Sequence, residues 1–461
     1  MSNQQRIIIL KEKREKINAV SSCFCSAKWL QTTLYLQNGY NHSCHHPSPH
    51  KIPLEEIEND PAALHNSKFK KQQRKKMLAG ERPSECDYCW KIEDLNKDYF
   101  SDRHYKTADY WAWDRFEEIA SLDADSNVYP SYLEVSFSNA CNLKCSYCSP
   151  EISSKWLEEI KQHGPYPIPE SNQDIEWYKS VGRYPYKHSD DNPYITAFWK
   201  WFPDALPHLK VFRITGGEPL MSKDTWRLFE YLKENPQPEL EIAINTNLAV
   251  DTKLIDKFLS EINSIKDKVK NIDIYTSLES VGDQAEYSRF GLVYKEWIEN
   301  VKRCLDETGL RVSVMTTVNI LSLPTFIEFI DLIMKLRSDY NDRFESNRIP
   351  ISINYLRWPE HLSVKLLPQD LRTEYSQKIL KQIEPWVNGY TEGKFARVYL
   401  EEWDQIKRFC EYLVQDESVP EKRTYFVKYI NEYDRRRGTD FSKTFPEYAN
   451  FLEDWDAQKA I

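Results

Sequence analysis

Between residues 131 and 366 the sequence alternates apolar runs of strand length with amphipathic stretches of helical period, and this alternation restricts the fold more than any other feature. The runs are Tyr132 to Phe137, Lys210 to Thr215, Leu240 to Asn245, Asn271 to Leu278, Arg311 to Val318 and Pro350 to Leu356. Helical patterns such as Asp224 to Glu234 and Thr252 to Ser264 lie between them. Parallel strands need a crossover long enough to hold a helix, so this alternation predicts a parallel sheet with helices outside it. Six such units predict an α/β fold, a partial (β/α)6 TIM-like barrel, with its chemistry at the C-terminal ends of the strands.

The flanks read differently. In residues 1–94, Leu34-Tyr-Leu-Gln-Asn-Gly-Tyr40 is a strand leading into an Asn-Gly pair, a strong hairpin signal, with Cys25 before it and Cys44 on or just past the return strand. This predicts a small, separately folded, cysteine-rich module of hairpin and helix. Residues 95–130, with Tyr110-Trp-Ala-Trp113, read as a helical connector, 131–366 as the barrel, and 367–461 as a helical C-terminal extension. A chain of 461 residues has room for one barrel-sized domain with such additions.

Composition excludes several classes. A formal net charge of −9 with both signs spread along the chain argues against a nucleic-acid or anionic-membrane binder. The basic run from Lys68 to Lys76 is expected to be a solvated helix face. No apolar run approaches a membrane span, and Met1 to Ile17 offers only Ile7 to Leu10 before a run of charges, which is no secretory signal. Ten cysteines without an export signal fit a reducing cytoplasm, where thiols serve as metal ligands or core residues.

The chemistry begins at Cys141-Asn-Leu-Lys-Cys145-Ser-Tyr-Cys148, directly after the first barrel strand. Three thiolates can hold three irons of a cubane cluster and leave the fourth open, whereas a structural zinc site would recruit a fourth ligand, and only His163 lies near. At the end of the second strand, Phe212-Arg-Ile-Thr-Gly-Gly-Glu-Pro-Leu220 offers two glycines for close backbone approach and a carboxylate, Glu218, that can accept from an ammonium group.

On these motifs, residues 131 to 360 resemble the radical S-adenosylmethionine (radical SAM) enzymes. The likeness takes in Cys141, Cys145 and Cys148, Tyr147 before the last of them, and the Gly-Gly-Glu-Pro turn at 216 to 219. It extends less specifically to Asn245-Thr-Asn247, Ser277-Leu-Glu279 and Tyr287-Ser-Arg289. The resemblance implies a 4Fe-4S cluster on the three cysteines, with its open iron chelated by SAM. Gly216, Gly217 and Glu218 would then hold the methionine amino group, and Ser277 and Arg289 would contact carboxylate or ribose. Tyr147, Asn247 and Glu279 would complete the cofactor site. It further implies reductive cleavage of SAM to a 5′-deoxyadenosyl radical that abstracts hydrogen from a substrate, with electrons from a donor such as flavodoxin or ferredoxin. On the residues alone, Ser277, Glu279 and Arg289 read equally as polar loop and helix-surface residues.

Cys23, Cys25, Cys44, Cys86 and Cys89 form a second set that could bind zinc or an iron-sulfur cluster, since both accept four thiolates. The run from Cys25 through Asn38-Gly39 to Cys44, then Glu81 to Cys89, resembles the twitch or SPASM-type auxiliary-cluster modules. That implies a second, auxiliary 4Fe-4S cluster on Cys25, Cys44, Cys86 and Cys89, with Cys23 as the substitute for Cys25. A module with little core benefits from a metal staple, so a structural role stands beside electron transfer. His42, His45, His46 and His50 are expected in a surface loop, and Cys304 and Cys410 in the core.

The insertion at residues 149–215 is expected to wall a substrate pocket or cover the barrel, with Asn319 and Arg357 as candidate substrate contacts. The substrate class, peptide or protein side chain or small molecule, stays open. The absence of a peptide-recognition segment before residue 23 counts against a leader-guided modifier. The competing reading is a zinc-stapled binding or scaffold protein, and the open position beside Cys148 favours the enzyme.

Overall fold

In the structure, a computed structural model, residues 3–96, 98–169, 174–187, 191–343, 346–388, 395–417, 419–449 and 451 are described. The chain forms two compact units that cut across the expected boundaries. The first comprises Met1–Asn139, Val181–Ala243 and Ile265–Asn271, the second Ala140–Ser180, Ile244–Ser264 and Ile272–Ile461. Among the described residues no helix is long and apolar enough to cross a membrane.

The first unit is built on β1 (Gln31–Tyr35), β2 (Tyr40–His42), β3 (His50–Lys51), β4 (Tyr132–Ser136), β6 (Val211–Thr215) and most of β7 (Gln237–Asn245), in the order β7-β6-β4-β1-β2-β3. Strand alternation sends Leu133 and Val135 of β4, and Phe212 and Ile214 of β6, into the core, and the two strands pair in parallel with Leu133 opposite Phe212. Part of the insertion covers this sheet. Asn192 caps the helix Pro193–Ala205, which lays Phe198 on Phe137 at 5.2 Å and Phe202 on Phe212 at 5.4 Å.

The N-terminal hairpin departs from expectation. β1 ends at Tyr35, before the turn, and its other edge pairs in parallel with β4, Leu34 opposite Val135. The segment expected as the heart of a separate module therefore extends the main sheet. Thr32, Thr33 and Leu34 are all fully buried, and a strand so enclosed has its backbone groups satisfied by neighbours on both edges. Gly39, at φ 70, closes the turn where a Cβ would overlap the Tyr194 ring.

The basic run also differs from expectation. The helix Lys68–Leu78 buries Lys70, Gln73, Arg74 and Met77 and leaves only its other face to solvent. The connector is helical, over Asp102–Ala108, Tyr110–Trp113 and Phe116–Ala120, and packs Trp111, Phe116 and Ile119 into one core with Phe24, Trp29 and Trp90.

The second unit holds most of β8 (Val269–Ser277), β10 (Arg311–Met315) and β11 (Ile351–Ser352), parallel, with Val314 opposite both Thr276 and Ile351. The helices Thr252–Ile265, Tyr294–Thr308 and Phe326–Tyr340 alternate with them in sequence, so the α/β class with parallel strands stands as expected. Two further strands, β5 (Lys144–Cys145) and β9 (Arg289–Phe290), pair antiparallel and put Cys145 opposite Arg289. The helices Gln369–Asn388, Leu400–Val414 and Arg423–Arg437 make up the C-terminal extension; residues 452–461 lie outside the described residues.

Candidate active site

The cysteine loop of the second unit is held by side chains along its whole length. Leu143 O accepts from Ser153 Oγ at 2.8 Å, Lys144 O from Arg437 Nη1 at 2.7 Å, Cys145 O from Trp156 Nε1 at 2.8 Å and Ser146 O from Tyr429 OH at 2.7 Å. Cys141 N donates to Ser154 Oγ at 3.1 Å, and Ser146 N to Ser288 O at 2.7 Å. Asn247 bridges Asn142 Oδ1 (2.9 Å) and Ala249 N (2.8 Å), which ties the segment after β7 to the loop. Four consecutive carbonyls thus have fixed donors, and a loop so bound presents its three thiols from a defined backbone. Burial pushes the Cys145 and Cys148 thiols above their usual range, so binding a metal there releases protons.

The half-buried Tyr147 and the buried Glu279 and Arg289, all expected around the cofactor, form one group beside Cys145. Arg289 Nε and Nη2 take the two Glu279 oxygens at 3.1 and 2.6 Å, Nη2 also donates to Tyr147 OH at 2.5 Å, and Nη1 lies 3.8 Å from Cys145 Sγ. Glu279 has no exposed surface. Burial alone would lower the Arg289 pKa, but Glu279, Tyr147 and Cys145 hold it well above the usual value, so the guanidinium stays charged. The surface reading of Glu279 and Arg289 fails here, since a bidentate pair in the interior is a built feature. Ser277 ends β8, half-buried, opposite Met315 of β10.

Gly216, Gly217 and Glu218 end β6 in the first unit. Gly216 has φ 127, and a Cβ there would stand 2.8 Å from Ser136 Oγ, so only glycine fits. Gly217 N donates to Ser138 O at 3.2 Å. The buried Glu218 carboxylate accepts from Leu220 N at 3.0 Å and caps the single helical turn Pro219–Met221.

Also in the first unit, Cys25, Cys44, Cys86 and Cys89 line one cavity, together with Lys28 and Arg103. Cys23 is absent from that lining, and its Sγ donates to Gly80 O at 3.3 Å. Burial pushes the Cys44 thiol up to about 11 and those of Cys86 and Cys89 to about 12. Among the described residues no group of three or more His, Cys, Asp and Glu is drawn together as around a single metal ion.

The histidines do not form a uniform surface loop. His42 is buried with Nε2 3.2 Å from Tyr35 OH, and His46 pairs with Asp102 at 2.6 Å while stacking on Tyr88; His50 is half-buried and only His45 is exposed. Asn319 is spent on its own turn, accepting from Leu321 N and donating to Thr317 O. Arg357 lines a surface cavity with Tyr355, Lys365 and Tyr412. Cys304 and Cys410 are core residues. Sequence reasoning missed Lys28, Arg103, Tyr429 and Arg437, none of which carries a local signal.

Residues 135–336 match the sequence model of the Radical SAM superfamily. That matched segment carries the cysteine loop, the Gly-Gly-Glu-Pro turn, Glu279 and Arg289. Among curated proteins, GTP 3',8-cyclase of Campylobacter lari is 24% identical over 204 residues, which cover 44% of this chain and 50% of that protein. Probable GTP 3',8-cyclase of Methanocaldococcus jannaschii is 26% identical over 204 residues, 43% of this chain and 54% of that protein. The chain thus spans about half the length of these relatives. Among solved structures, Streptococcus suis SuiB bound to precursor peptide SuiA aligns with a TM-score of 0.35 at 17% identity, covering 77% of this chain and 70% of that one. SuiB bound to S-adenosylmethionine aligns with a TM-score of 0.31 at 16% identity, covering 77% and 69%.

Proposed function

We propose that this chain is a radical SAM enzyme with two iron-sulfur clusters, one on Cys141, Cys145 and Cys148 and an auxiliary one on Cys25, Cys44, Cys86 and Cys89. The observation that carries the reading is the three-thiol loop, fixed by side-chain donors to four consecutive carbonyls inside a segment that matches the superfamily. The donor set fits a cubane with an open iron, because three soft thiolates occupy three corners and the buried Arg289 offsets their charge. When bound, that cluster supplies one electron for reductive cleavage of SAM.

The chain's own residues orient and shield. Glu279 and Tyr147 hold Arg289 against Cys145, and the glycines at the end of β6 leave room for close backbone approach. Glu218, Asn247 and Ser277 complete the cofactor-binding set of this proposal. Four cysteines lining a single cavity support the auxiliary site. A flavodoxin or ferredoxin would deliver the electron in the cytoplasm, without membrane or nucleic acid. The substrate is a peptide or protein side chain or a small molecule; the curated relatives are named for a reaction of GTP.

The test is anaerobic reconstitution followed by dithionite, SAM and chromatography for 5′-deoxyadenosine. The natural chain should yield the product, and Cys145→Ala should yield none while keeping the auxiliary iron. Undiminished product from Cys145→Ala would contradict the site.

A further inference from the structure

Three basic side chains of the first unit are buried in the lining of the four-cysteine cavity or on a helix that contributes to it. Lys28 lines it, 2% exposed, and its ammonium pairs with the Glu85 carboxylate. Lys70 and Arg74, both with no exposed surface, stand on the helix Lys68–Leu78, whose Met77 also lines the cavity. Lys70 Nζ donates to Gln31 O at 3.2 Å and lies 3.0 Å from His65 Nδ1. Arg74 donates to Lys28 O at 3.2 Å, Asn66 Oδ1 at 3.0 Å and Ser126 O at 3.2 Å.

Among the described residues, neither Lys70 nor Arg74 meets a carboxylate. Buried charges are ordinarily paired, because desolvating one against neutral partners alone is costly. For Lys70, the groups whose field offsets its burial point to where a counter-charge belongs. Burial pulls the Lys70 pKa down, while Glu85 and Cys44 push back. Lys28 lines the same cavity as Cys25, Cys44, Cys86 and Cys89. Four thiolates on a zinc ion or on an iron-sulfur cluster carry net negative charge, and either would supply what the cations lack.

Resting on the auxiliary-cluster reading above, we infer that Lys28, Lys70 and Arg74 are the built-in counter-charge of an anionic four-thiolate metal centre in this cavity, and that Lys28 raises its reduction potential. One-electron reduction adds a further negative charge to the cluster, and a fixed cation at short range favours that state over the oxidised one. The auxiliary cluster is thereby biased toward accepting an electron, which a purely structural staple does not require. Lys28 is a tuning residue here, acting through its charge.

The experiment uses the full chain with Cys141, Cys145 and Cys148 replaced by Ala, so that the only iron is auxiliary, reconstituted anaerobically and titrated potentiometrically with EPR detection. Lys28→Met should move the midpoint to a more negative potential at unchanged iron content, and Lys28→Arg, which keeps the charge, should stay near the parent. An unchanged or more positive midpoint in Lys28→Met would overturn the inference. If Lys28→Met fails to load iron, retention by Lys28→Arg supports the counter-charge, and loss in both assigns Lys28 to packing and overturns it. A parent that binds zinc and no iron is a different failure: it removes the auxiliary-cluster reading and with it the potential.

Discussion

Glu279 and Arg289 form the most consequential pair beside the cysteine loop. Both Glu279 oxygens are used by one guanidinium in the interior, and the third edge of that guanidinium faces Cys145 Sγ. Removing one partner of such a pair strands the other charge, which typically costs about 3–5 kcal/mol. Glu279→Gln should therefore lose about 3 kcal/mol of unfolding free energy in urea, and a loss under about 1 kcal/mol, the scale of an exposed pair, would mean that the pair is solvated in practice. The three members were legible only through family resemblance, since Tyr147, Glu279 and Arg289 share no local period. Lys28 was invisible for another reason: a lone lysine in a sequence reads as solvated, and its burial follows from packing that no neighbouring residue announces.

At the scale of elements, the C-terminal helix Arg423–Arg437 fixes the cysteine loop. Arg437 donates to Lys144 O and takes both oxygens of Glu159 at 3.0 and 3.1 Å, while Lys144 Nζ and Tyr166 OH reach the same carboxylate at 2.6 and 2.8 Å. Burial would raise the Glu159 pKa, but Arg437 and Lys144 hold it at about 2, so the Glu159 carboxylate is ionised at neutral pH. Tyr429, about two turns earlier on the same helix, bonds Ser146 O. Arg437→Met should cost about 3–5 kcal/mol of stability because it breaks a buried ion pair, and Tyr429→Phe about 1 kcal/mol because it removes one neutral hydrogen bond. Thermal and urea unfolding check the ranking, and an Arg437→Met variant no less stable than Tyr429→Phe would contradict it. The sequence marks this extension as helical, but not its task, because contacts between residues 144 and 437 leave no trace in a local pattern.

For the whole molecule, the alternation of strands and helices was readable because each element carries its own period, and all six expected runs contain a strand, the last reduced to Ile351–Ser352. The N-terminal region was not readable in the same way. The pairing of β1 with β4 joins residues a hundred positions apart, and a hairpin signal says nothing about what lies on its outer edge. The four N-terminal thiols that the resemblance to auxiliary-cluster modules singles out line one cavity, and Cys23 turns instead to Gly80. The central claim is a radical SAM enzyme with two clusters, and its most direct test reads both parts on one sample: iron counted per chain on the anaerobically reconstituted protein, followed by dithionite and SAM and chromatography for 5′-deoxyadenosine. The account predicts about eight irons per chain with product formed. Bound zinc with little iron and no 5′-deoxyadenosine would contradict it.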